Sequence, residues 1–204
     1  MNTSTKTLPE GYVLSGEINL KKNKRLTITL NIVAFLVFVL SFFLLSSLAA
    51  LVRPDLMNTS GSITAGVGAV GLVVVVGMMF LFMTIHELIH GFFFWVFTRS
   101  RPVFAIRLFY AYAGAPDWYI PIRQFMIVAL GPLVIIGAVG LLLILLVPIS
   151  WIMFIIFFVA MNTGGSAGDL LVFTRLLKLS PMCLANDTGD VFTFYEHQPT
   201  IDRP

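Results

Sequence analysis

His86-Glu87-Leu88-Ile89-His90 lies inside Ile63–Phe97, a run with no other charged or imidazole side chain. About 20 apolar residues suffice for a helix to cross the hydrocarbon core of a bilayer, and this run is longer. Ionisable groups are costly in hydrocarbon, so a cluster of them within such a run marks a candidate functional site. Three more long apolar runs flank it: Leu26–Val52, Ile122–Val147 and Trp151–Leu179, the last turning polar in its second half. Pro148-Ile149-Ser150 breaks the chain between the final two, and charge-bearing segments separate the others.

The whole chain agrees with that reading. Its 204 residues are 58% hydrophobic and 11% charged, with 19 Phe, whereas a soluble domain is about a quarter charged. The expected fold class is therefore an all-α polytopic membrane protein. It has four transmembrane helices and a short hairpin or re-entrant element between helices 2 and 3. The expected organisation is a cytoplasmic N-terminal segment over residues 1–25, a four-helix core over 26–180 and a cytoplasmic tail over 181–204. The first apolar run is too long for a signal-peptide core of roughly 7–15 residues and is expected to stay as an anchor. A single cysteine, Cys183, excludes an intrachain disulfide and a Cys-based zinc site. The net charge of +3 is small, and no nucleic-acid partner is expected.

Where the basic residues fall sets the expected orientation, because cytoplasmic flanks are enriched in Lys and Arg. Lys21, Lys22, Lys24 and Arg25 precede the first run. Arg99, Arg101, Arg107 and Arg123 lie around the second connection, and Arg175 and Lys178 near the end of the fourth run. With four crossings all three clusters share one face, which puts both termini in the cytoplasm. The connection Thr98–Pro121 holds an aromatic, β-branched stretch, Val103–Tyr112, before the turn residues Gly114-Ala115-Pro116-Asp117. It reads either as a hairpin or re-entrant element, or as an interfacial loop anchored by Trp118 and Tyr119. Val191–Tyr195 reads as a single strand in an otherwise polar tail.

Two histidines four residues apart share one face of a helix, one turn apart, so both imidazoles can reach one metal ion. A Glu directly after the first can approach a metal-bound water without ligating the metal. Zinc lowers the pKa of such a water toward about 7, and Glu87 would take its proton and pass it to the leaving amine. A catalytic zinc usually has three protein ligands. His197 lies far along in the tail. Asp169 is better placed, on a stripe with Asn162 and Ser166 at helical spacing. His86 lies 20 residues from Gly66 and Asp169 lies 19 from Ser150. At about 1.5 Å per residue both are then at the same depth, roughly 30 Å in. The plainer reading of Asp169 is a helix-end charge paired with Arg175 or Lys178. Asn162 reads either as an oxyanion donor or as a cap for backbone near Gly164-Gly165. Gly131-Pro132 reads as a kink or as ordinary packing.

These residues resemble the family of putative membrane zincin peptidases, small bacterial proteins related to the site-2 protease group. The resemblance runs from about Gly68 onward. It rests on His86–His90, Ala129-Leu130-Gly131-Pro132, Asn162 with Gly168-Asp169-Leu170, and Asp187-Thr188-Gly189-Asp190 leading into Phe194-Tyr195. It implies zinc held by His86, His90 and Asp169, with Glu87 as the catalytic acid/base. It also implies cleavage of membrane protein or peptide substrates within the lipid bilayer of a bacterial cell. Site-2 proteases carry the ligand Asp before a glycine, whereas here Gly168 precedes Asp169. Two other readings stand beside it: a non-catalytic membrane binding protein with a zinc-stabilised core, and a small metal or proton transporter. Oligomeric state is left open.

Overall fold

The structure, a computed structural model, describes residues 3–58, 69–106 and 111–198. Residues 63–68 of the expected second run, with the Gly66 reference for depth, lie outside that description, as do Arg107, residues 108–110 and the tail beyond 198. In chain order the elements are β1 (Tyr12–Asn19), α1 (Lys24–Val52), α2 (Asp55–Asn58), α3 (Ala69–Thr98), β2 (Val103–Ile106), β3 (Ala111–Pro121), α4 (Ile122–Leu146), α5 (Ile149–Gly165), α6 (Ala167–Leu176), β4 (Leu184–Asp187) and β5 (Val191–His197).

Three helical stretches are long and apolar enough to cross a membrane: Lys24–Val52, Val73–Thr98 and Ile122–Leu146. Their outward side chains are large and apolar, for example Phe35 at 63% and Leu146 at 69% exposure. Asn23 starts α1, its side-chain oxygen accepting the Leu26 N–H at 3.0 Å, as an N-cap residue does for an otherwise unpaired helix donor.

The expectation of an all-α chain with four membrane helices is overturned on two counts. The chain carries a five-stranded antiparallel sheet in the order β1-β5-β4-β3-β2. The expected fourth span is not one straight helix either. It is a pair, α5 of 17 residues and α6 of 10, bent by 43° at the break around Ser166. The hairpin expected from Val103–Tyr112 appears as the β2–β3 pair, although the expected turn residues Gly114-Ala115-Pro116-Asp117 lie within β3. Val191–Tyr195 is strand, within β5. The sheet as a whole escapes a local reading because its other strands pair over long distances. Tyr12 lies opposite His197 and Asn19 opposite Val191. β4 is four residues long and buried throughout, so it shows no alternation to mark it.

The chain divides into two compact units. The first comprises Met1–Asn31, Glu87–Gly131 and Gly168–Pro204. Its core joins Phe94, Phe125, Phe194, Ile120, Val172 and Leu176. Full burial of such side chains stabilises by about 1.5–3 kcal/mol each, enough to tie the sheet to the C-terminal part of α3, the start of α4 and α6. The N-terminal segment adds to this unit through β1 and through a bridge between Thr5 and Tyr119. The second unit comprises Ile32–His86 and Pro132–Ala167. Its core holds Ala49, Ile144, Ile152 and Ile156. Gly164 lets α1 come close: a Cβ there would lie 2.5 Å from the Ala34 carbonyl oxygen. Arg53 caps the end of α4 by donating to the carbonyls of Ile144 and Val147 at 3.2 and 3.1 Å. The four divisions between units, at residues 31/32, 86/87, 131/132 and 167/168, fall inside the helices α1, α3, α4 and α6.

Candidate metal centre

His86 and His90 occupy consecutive turns of α3 and are both buried, at 5% and 7% exposure. In each ring the Nδ1 atom is engaged by the protein. His90 Nδ1 lies 2.9 Å from the Val128 carbonyl oxygen. A carbonyl only accepts, so Nδ1 carries a proton, and in the neutral ring Nε2 is the nitrogen with a lone pair to offer. His86 Nδ1 lies 3.0 Å from Asn162 Oδ1. The orientation of that amide is set by its other end, since Asn162 Nδ2 donates to the Pro132 carbonyl at 3.2 Å. His86 therefore also donates from Nδ1 and presents Nε2. A histidine ligand whose second nitrogen is held by an acceptor is oriented and more basic toward a metal.

Asp169 comes from the first turn of α6, and its Oδ1 lies 3.3 Å from His90 Nε2. Because His86 is one turn before His90 on the same helix, three residues converge. The candidate ligand atoms of His86, His90 and Asp169 all lie within 4.8 Å of one another. The bend at Ser166 belongs to this arrangement. Ser166 turns its N–H and its hydroxyl back onto the Asn162 carbonyl, at 3.0 and 2.9 Å; Asn162 lies in the last turn of α5 and Asp169 in the first turn of α6. Two imidazoles, each able to present Nε2 when neutral, and one carboxylate form a nitrogen and oxygen set that suits zinc, which takes such ligands at about 2.0–2.2 Å. His197, at the end of β5, packs edge-on against Tyr12 with ring centroids 5.3 Å apart and is not in the converging group. Glu87, half-buried, sits between the two histidines in sequence and outside the converging set.

One residue near the centre is not marked by the sequence as a site residue. Asp187, in β4, is 4% exposed, and its Oδ1 accepts the Gly189 N–H at 2.6 Å. Gly189 has a left-handed φ of +86°, which a glycine adopts without strain. Burial pushes the Asp187 carboxyl up to about 7. The Gly189 N–H and the charge of His90 pull it back, and the charges of Glu87 and Asp169 push it further. Asp187 thus feels all three of these groups although it lies about a hundred residues beyond the histidines. In the sequence it stands within the Asp187-Thr188-Gly189-Asp190 stretch that carries part of the family resemblance, with no role attached to it, and an Asp-Thr-Gly turn is by itself common.

This carboxyl makes stability depend on pH. In the metal-free protein the native state holds the Asp187 proton up to about pH 7, while the unfolded chain loses it near 3.8. Stability therefore falls as pH rises between those values and levels off above. Asp187→Asn keeps an acceptor for Gly189 and removes the titration. Thermal unfolding of the chelated protein in detergent should show a flatter profile from pH 4 to 7. The gain at pH 8 should be on the order of a few kcal/mol, since one pKa unit is about 1.4 kcal/mol. Parallel curves for variant and wild type would count against this account.

The centre brings together two histidines and a carboxylate that could hold a metal ion. Residues 79–184 match the family described as "Putative zincin peptidase", and the chain belongs to that family. Comparison with curated proteins and with solved structures found no match.

Proposed function

We propose that the protein is an intramembrane zinc metalloprotease of the site-2 protease type, acting on membrane-associated protein or peptide substrates. The observation that carries this reading is the convergence of His86, His90 and Asp169 beside Glu87 on an apolar helix long enough to cross a bilayer. When bound, zinc would polarise the scissile carbonyl and lower the pKa of a water molecule toward about 7. The chain's own residues do the rest. His86 and His90 present Nε2 in fixed orientation, Asp169 supplies the negative charge, and Glu87 accepts a proton and returns it to the leaving amine. Asn162 spends its oxygen on His86 and an N–H on Pro132, which favours orienting a ligand over donating to an oxyanion.

Several observations support membrane placement. The exposed faces of α1, α3 and α4 carry Phe35, Leu36, Phe43, Phe80 and Leu146, more apolar surface than a soluble monomer shows. The segments before α1, between α3 and α4 and after α6 meet in one sheet, and one sheet lies on one side of a bilayer. Lys21, Lys22, Arg99, Arg101 and Lys178 flank those segments, so that side is cytoplasmic by the distribution of positive charge, in a bacterial cell membrane. β2 ends the sheet among the described residues, and the Phe104 ring packs over Gly91, next to His90. An extended substrate segment adding to that edge would lie beside the site.

The test is cleavage of a single-span membrane peptide by the protein in liposomes. Activity should vanish on chelation and return with zinc. A stable protein that binds zinc and cleaves no membrane peptide would sink the protease reading, and equal turnover of a water-soluble peptide would sink the intramembrane part.

A further inference from the structure

We infer that Pro132 organises the hydrogen bonds behind both histidines, and is a positioning residue for the metal centre. The inference rests on the zinc reading above. Pro132 is fully buried in the interior of α4. A proline has no N–H, so in a helix it leaves the carbonyl four residues earlier without its usual partner. Four residues before Pro132 is Val128. The Val128 carbonyl oxygen is the atom that faces His90 Nδ1 at 2.9 Å. The proline thus releases an acceptor in the middle of an apolar helix, and that acceptor is used by a ligand histidine.

The carbonyl of Pro132 itself serves the other histidine. It accepts Asn162 Nδ2 at 3.2 Å. This fixes which end of the amide faces His86, and Asn162 Oδ1 then accepts a hydrogen bond from the His86 Nδ1–H at 3.0 Å. Asn162 is 0% exposed, so water offers it no alternative partner. One residue therefore sets the tautomer of both rings: that of His86 through its own carbonyl and Asn162, that of His90 through the N–H it lacks. Gly131 gives the room: a Cβ there would lie 2.5 Å from the Phe93 ring.

The experiment compares full-length wild type, Pro132→Ala and Asn162→Leu in detergent, with two readouts that do not use activity. The first is the zinc dissociation constant from chelator competition. The second is 15N NMR of the histidine rings in the metal-free protein. Pro132→Ala restores an N–H that competes for the Val128 carbonyl. Zinc should bind about 10–100-fold more weakly, the usual cost of losing an outer-shell partner. His90 should shift toward a mixture of tautomers. The thermal stability of the metal-free variant should hold or rise, because alanine suits a helix interior better than proline. A proline that served only to shape the helix would not produce that pairing of looser zinc with unchanged stability. Asn162→Leu should loosen zinc to a similar degree and release the His86 tautomer alone, which keeps the test open if Pro132→Ala fails to accumulate. Unchanged zinc affinity and unchanged ring tautomers in the variants would overturn the role of Pro132. A wild type that binds no zinc, with tautomers that respond as expected, would overturn the metal reading and leave the hydrogen-bond organisation standing.

Discussion

Glu87→Gln should retain zinc at the wild-type level and cut peptide cleavage by about 10²–10⁴-fold, the range that a positioned general base contributes. The variant separates holding metal from using it. Glu87 lies outside the set of converging ligand atoms, so removing its charge leaves all three ligands in place. Glutamine keeps the length and hydrogen-bonding shape of the side chain but cannot accept a proton. Loss of turnover with metal intact is therefore a chemical effect. The measurement is single-turnover cleavage of a membrane peptide beside metal content on the same preparation. Equal cleavage by wild type and variant would remove Glu87 from the mechanism and leave the zincin reading without its base.

Asp169→Ala should lose zinc more severely, by more than the 10–100-fold that outer-shell changes cost, because a charged ligand is removed outright. His86→Ala and His90→Ala should behave alike, each leaving two ligands where a catalytic zinc uses three. Folding should survive in the Asp169 variant. Its carboxylate is 22% exposed and sits in the first turn of α6, where a negative charge contributes only about 0.3–1 kcal/mol through the helix dipole. Metal content of purified variants checks this directly. Full zinc occupancy in Asp169→Ala would take Asp169 out of the ligand set, and a different group would then have to supply the third bond.

Local spacing carries the parts of this protein that are legible in its sequence. Histidines at positions 86 and 90 must share a helix face, whatever that helix packs against. The apolar lengths of α1, α3 and α4 follow from composition over 25 to 30 consecutive residues. Asp169 is within reach of sequence reasoning because few polar residues interrupt the apolar runs. Equal depth for His86 and Asp169, however, presupposes one straight helix from Ser150, whereas two helices meet at Ser166.

The sheet and the surroundings of the centre are not legible in the same way, and the cause is common to both. β1 and β5 pair across most of the chain length, and Asp187 reaches the neighbourhood of the histidines only because β4 pairs with β3. Whether a short stretch becomes a strand depends on a partner that its own residues do not specify. Side-chain periodicity alone puts two imidazoles on one face and a glutamate beside them, because helix geometry repeats every 3.6 residues regardless of context. Which carbonyl holds each imidazole, and that the Pro132 break in α4 leaves one of those carbonyls open to a histidine, depends on contacts between separate helices. Those contacts exist only once the chain has packed.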